Sequence, residues 1–106
     1  MLMHKGIGLD RFNQLPSTRA VYALYECCCS VTWAEKLAGG RPYPDHQRLL
    51  DAAEVELPAL SRADLDRVAD SVAREGVPEP TFEDLVRITR IRLTRMLGPE
   101  EGYPEY

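Results

Sequence analysis

Apolar residues recur along the chain at three- and four-residue intervals, in runs separated by prolines, glycines and capping residues. Pro16-Ser17 opens the first run. Val21, Leu24, Tyr25 and Cys28 follow at helical spacing, which puts Cys28 on the inner face and turns Cys27 and Cys29 to either side. Ser30 is placed to cap a short second helix, with Val31, Ala34, Leu37 and Ala38 inward. Gly39-Gly40 ends it, since glycine accepts the left-handed conformation beyond a helix C-terminus. Arg41-Pro42-Tyr43-Pro44 must be extended or turned. Asp45 caps a third helix with Leu49, Leu50, Ala53 and Leu57 on one side, and Pro58 stops it. Ser61-Arg62-Ala63-Asp64 is a capping-box-like start to a fourth helix, with Leu65, Val68, Ala69 and Val72 inward. Gly76 ends it, and Pro78 and Pro80 make a short stiff link. Thr81-Phe82-Glu83-Asp84 then opens the longest helix, which runs to Leu97. No stretch alternates with the period of a strand. The pattern predicts an all-α bundle of about five helices, with connections short enough for neighbours to pack together.

One residue of the last helix breaks this pattern. Wound at about 100° per residue, Phe82, Leu85, Val86, Leu93, Met96 and Leu97 form a broad apolar arc, extended by Ile88 and Ile91. Arg87 and Arg90 fall outside it, with Glu83 and Thr94. Arg92 falls inside, between Leu85 and Ile88. A guanidinium is always charged, so burying it requires an anionic partner. Two readings follow: an internal ion pair, with Glu26, Glu35 and Asp70 as candidate partners, or a pocket in which Arg92 holds the carboxylate of a ligand.

Composition narrows the function classes. The 106 residues fit one domain, residues 1–106, with 1–11 and 99–106 expected to be flexible. The 13 basic and 17 acidic residues give a net charge of −4, without the basic footprint of a nucleic-acid binder. No apolar run approaches the ~20 residues of a membrane span, and "MLMHKGIGLDRF" lacks the apolar stretch of a signal peptide. A cytoplasmic protein is expected, and the three adjacent cysteines suit a reducing compartment.

The cysteine run is the most conspicuous chemistry, but its position argues against reactivity. Cys27, Cys28 and Cys29 lie near a helix C-terminus, where the dipole disfavours a thiolate. Adjacent side chains diverge on a helix and no second Cys/His cluster exists, so no metal site is expected. Cys28 reads as a small core residue, with pocket lining as the alternative. Trp33 reads as a core anchor or, alternatively, as pocket lining. Arg41 reads as part of a surface turn, with an approach to an anion as the alternative. His46 is expected to be an exposed residue in a first helical turn, and His4 to lie in the flexible N-terminal segment.

The stretch "FNQLPSTRAVYALYECCCSVTWAEKLAGGRPYPDHQRLLDAAEVELPALSRADLDRVA", Phe12 to Ala69, resembles the N-terminal half of the 2-oxo-4-hydroxy-4-carboxy-5-ureidoimidazoline (OHCU) decarboxylases. The shared features are an "FN.LP" start, a cysteine pair followed by a tryptophan, a "GRPY.D..LL.AA" segment and an "LS.ADL" helix start. "RITRIRLTRML", Arg87 to Leu97, is similar to the closing "KI..IRL..LL" of that family. The resemblance implies an all-helical fold and a cofactor-free lyase of purine catabolism, which decarboxylates a ureido-imidazoline on the way to S-allantoin. It implies that Arg92 matches an arginine that grips the substrate. It also exposes a departure. Where the family has a His-Pro-x-(Ile/Leu)-Gly segment carrying the catalytic acid/base, this chain reads "VADSVAREGVP", with Val72 at the histidine and Ala73 at the proline. The Ser-x-x-Glu-Gln helix that follows in the family has no counterpart.

Two classes of function follow. One is a repurposed lyase acting on a small carboxylate with a new acid/base, since general acid–base help is worth about 10²–10⁴-fold. The other is a non-catalytic helical module that binds a small acid or a partner protein. A homodimer is compatible with both, because loss of the central segment is expected to uncover apolar faces of the last two helices.

Overall fold

The computed structural model describes residues 6–98. They form α1 (Leu9–Gln14), α2 (Ser17–Cys28), α3 (Val31–Gly39), α4 (His46–Glu56), α5 (Arg62–Ala73) and α6 (Phe82–Leu97), with no strand among the described residues. The chain is all-α, as the spacing predicts.

Each of the four later helices starts at the expected capping residue. The side chains of Ser30, Asp45, Ser61 and Thr81 accept from the backbone N–H of Trp33, Arg48, Asp64 and Asp84, which satisfies one orphan donor at each end. The bond is reciprocated at α6, where the Asp84 carboxylate accepts from the Thr81 N–H at 3.0 Å. At α5 only the serine half forms, and Asp64 pairs with Arg67 at 2.7 Å.

α1 is the element the periodicity does not reveal. Six residues are too few to show a repeat, yet α1 carries the fully buried Phe12. The segment before it is tied down as well. The N–H groups of Ile7 and Gly8 donate to the carbonyls of Met96 and Leu97, at 2.7 and 2.8 Å, satisfying acceptors at the end of α6. The approach is close: a Cβ on Gly6, whose φ is +80°, would lie 2.8 Å from Gly98 N. Ile7 and Gly8 are thus bonded to the end of α6, within the segment 1–11 that the sequence reading expects to be flexible. Residues 1–5, with His4, and 99–106 lie outside the described residues.

α2 packs against both α3 and α6, and α6 also contacts α4 and α5. This double contact moves the buried face of α2 away from Tyr25, which is exposed, toward Ala20, Leu24, Cys27 and Cys28. Cys27 is thus inside rather than to one side. In α3 the inward residue of the first turn is Trp33, and Val31 is exposed. Val68 and Val72 of α5 and Leu85, Leu93 and Leu97 of α6 are buried, so these two helices cover one another's apolar faces within the chain. Phe82 and Ile91 remain exposed on α6, nine positions apart and hence on opposite sides of the helix.

Candidate functional site

Arg92 occupies the inward position that the helical phase assigns to it, with a side chain only 11% exposed. Three of its contacts are to neutral acceptors. Nη1 donates to the Cys27 carbonyl at 3.0 Å and to Ser71 Oγ at 2.7 Å, and Nη2 donates to the Ser71 carbonyl at 3.3 Å. The anionic partner is Glu75, whose carboxylate lies 3.2 Å from Nη2. None of Glu26, Glu35 or Asp70 pairs with it. Glu75 lies just past the end of α5, one helical turn from Ser71, so a single face of α5 supplies both contacts.

Arg92 also lines an open cleft of about 340 Å³ between α2, α6 and the N-terminal segment, together with Ile7, Ala23, Glu26, Cys27, Arg95 and Met96. Arg92 and Arg95 stand in this cleft beside Glu26, and Arg92 is paired with Glu75 from outside it. Arg95 has no ion-pair partner among the described residues. Sequence reasoning missed Arg95, Cys27, Ser71 and Glu75. Arg95 was open to inference, because it follows Arg92 by three positions on one helix.

Cys27 lines the cleft as a neutral thiol. Burial pushes its pKa from the ordinary 9.0 to about 12, against a smaller opposing pull from Arg92. Its Sγ contacts the Ala23 carbonyl at 3.6 Å and Met96 Sδ at 4.0 Å. Cys28 is fully buried and outside the cleft. Burial raises its pKa to about 12, and the Thr89 hydroxyl beside it acts in the opposite sense. Thr89 Oγ1 itself is buried without a partner that meets hydrogen-bond geometry. All three cysteines are free, and no group of three or more metal-ligating side chains occurs among the described residues.

The remaining candidates are structural in their contacts. Trp33 is fully buried, with Nε1 donating to the Ala53 carbonyl of α4 at 3.1 Å. Arg41 turns inward rather than toward an anion. Its Nε donates to the Ala38 carbonyl, and Nη1 donates to the carbonyls of Phe12 and Leu15 at 2.9 and 2.7 Å, with the guanidinium 5.7 Å from the Phe12 ring centre. Beside it, the Asn13 amide donates to the Tyr43 carbonyl and accepts from the Tyr43 N–H, both at 2.9 Å. Tyr43 Oη donates to the Leu37 carbonyl at 2.8 Å, and burial is the main cause that raises its pKa. The "FN.LP" and "GRPY" segments are therefore two halves of one clasp that closes α1 on the α3–α4 connection. His46 is buried at the start of α4, not exposed as expected. Val72 is fully buried in the core.

Fold and cleft together define an all-helical protein with an arginine at the edge of an open cleft. A family model described as OHCU decarboxylase matches residues 13–76 of the 106, and the chain belongs to the OHCU decarboxylase family. The match ends at Gly76, so α6 with Arg92 and Arg95 lies beyond it. No curated protein and no solved structure matches. Among the described residues no helix is long and apolar enough to cross a membrane.

Proposed function

We propose that this family member binds a small carboxylate, of the ureido-heterocycle type that the family's chemistry implies, at the edge of Arg92. On this reading it has been repurposed away from histidine-assisted decarboxylation. The observation that carries the reading is the guanidinium itself, 11% exposed and lining a cleft in which Arg95 adds a second positive charge. Arginine's planar fork suits a carboxylate in such a setting.

The loss of the parental reaction rests on position 72. Val72 is sealed in the core, and the sequence has no histidine after His46. Cys27 does not stand in as a nucleophile, since a pKa near 12 keeps it a thiol at neutral pH. The three free cysteines fit a cytoplasmic, reducing setting. The test is to supply freshly generated ureido-imidazoline and follow S-allantoin by circular dichroism. The expected trace is the spontaneous one, racemic and independent of protein concentration. Stereoselective S-allantoin that disappears in Arg92→Lys would establish a working lyase instead and overturn the repurposing.

A second reading, a homodimer, has its support on α2. Tyr22 and Tyr25 are both exposed, 67% and 37%, and lie about one turn apart on the same side of the helix. Tyrosine is enriched at the centre of protein interfaces.

A further inference from the structure

The donors of Arg92 are not used evenly. Both Nη1 hydrogens go to neutral acceptors, and one Nη2 hydrogen goes to the Ser71 carbonyl. Glu75 lies 3.2 Å from Nη2 as an ion pair outside hydrogen-bond geometry, and among the described residues nothing accepts from Nε. Thr89 Oγ1 is the buried side-chain polar atom without a partner among the described residues, so Nε meets solvent. Nε–H and the adjacent Nη2–H form one edge of the planar fork, the edge that a carboxylate spans with two parallel bonds. Glu75 stands beside Nη2 through one oxygen, from a side chain 56% exposed.

From this arrangement, and resting on the carboxylate reading above, we infer that Glu75 is a built-in competitor for the ligand. It is an internal carboxylate that keeps the Arg92 edge neutralised until a bidentate carboxylate displaces it. The neutral acceptors hold the guanidinium in place while the exchange occurs, because Cys27 O, Ser71 O and Ser71 Oγ do not depend on Glu75. Glu75 is itself 56% exposed, so its carboxylate can swing into water while the three neutral acceptors stay on Arg92. The same competition sets selectivity. Glu75 offers Arg92 an ion contact without a hydrogen bond, whereas a planar carboxylate that bridges Nε and Nη2 gains two charge-assisted bonds. The ligand class is therefore a planar carboxylate on a small ring, and neutral heterocycles are excluded.

The probe is hydantoin-5-acetate, with neutral hydantoin as control, titrated into arginine-¹⁵Nε-labelled full-length protein. NMR follows the Arg92 Nε–H signal, and the Trp33 indole signal reports that each variant is folded. Wild type is expected to shift the Arg92 signal with hydantoin-5-acetate and not with hydantoin. Glu75→Ala is expected to bind about three- to fivefold more tightly, the fold-change equivalent to losing an exposed ion pair, and Glu75→Gln is expected to fall between. Equal affinity of wild type and Glu75→Ala, with the Arg92 signal still shifting, would overturn the competition and leave the carboxylate site standing. No shift of the Arg92 signal in any folded variant would overturn both, leaving Arg92 as a clamp between α2, α5 and α6.

Discussion

Arg92 shows how far a single residue can be read without a structure. Its inward phase on α6 follows from the spacing of Leu85, Ile88 and Leu93, and the side chain is indeed inside. Its partner was not legible. Glu75 lies in the turn after α5, and only the packing of α5 on α6 selects it over Glu26, Glu35 and Asp70. The cysteines invert the pattern: conspicuous in sequence, they are inert in structure. Cys27 and Cys28 both titrate near 12 when folded and near 9.0 when unfolded. The folded state therefore holds its protons more tightly. The stability this represents is fully present below pH 9 and is lost as pH rises toward 12. Within that window each thiol contributes a slope of about −1.4 kcal/mol per pH unit. Urea titrations above pH 9 are expected to show falling stability, with a slope shallower by about 1.4 kcal/mol per pH unit in Cys28→Ala. An identical slope in that variant would mean the thiols are not the cause.

At the level of elements, most helices announce themselves through their caps. Ser30, Asp45, Ser61 and Thr81 each compete for backbone donors in a way that fixes where the next helix starts. α1 gives no such sign. It lacks a side-chain cap and is held by long-range contacts, above all the Asn13–Tyr43 pair and the Arg41 bonds to the Phe12 and Leu15 carbonyls. The motif that marks the family is, in this respect, a joint. Asn13→Ala removes both bonds to Tyr43 and leaves its part-buried N–H and C=O unpaired, a loss of about 1–3 kcal/mol. Urea unfolding followed by Trp33 fluorescence is the measurement. A change within about 0.5 kcal/mol, the range of ordinary surface substitutions, would show that the clasp is not what holds α1.

For the whole molecule, the last two helices pack differently from what the sequence implies. The spacing predicts apolar faces on the last two helices, and α5 and α6 do have them, but they close on each other and on α2 and α4. The radius of gyration is 13.7 Å, near the ~13 Å expected for a closed domain of this size. What sequence periodicity cannot supply is which face meets which, and the homodimer expectation consequently moves from α6 to Tyr22 and Tyr25 on α2. Light scattering at micromolar concentration is expected to give twice the 12.0 kDa chain mass, reduced toward the monomer in Tyr22→Ser. A strict monomer for the unaltered chain would remove the dimer from consideration.

The chain belongs to the family and carries an arginine beside an open cleft, and the arginine is the point on which the functional reading turns. Calorimetric titration of hydantoin-5-acetate into the full-length chain and into Arg92→Lys addresses it directly. Lysine keeps the charge but cannot present two parallel donors. Binding to the unaltered chain, weakened about tenfold or more in Arg92→Lys as befits loss of a charge-assisted bond, is the result expected. Equal affinity in the two proteins would contradict a carboxylate site at Arg92.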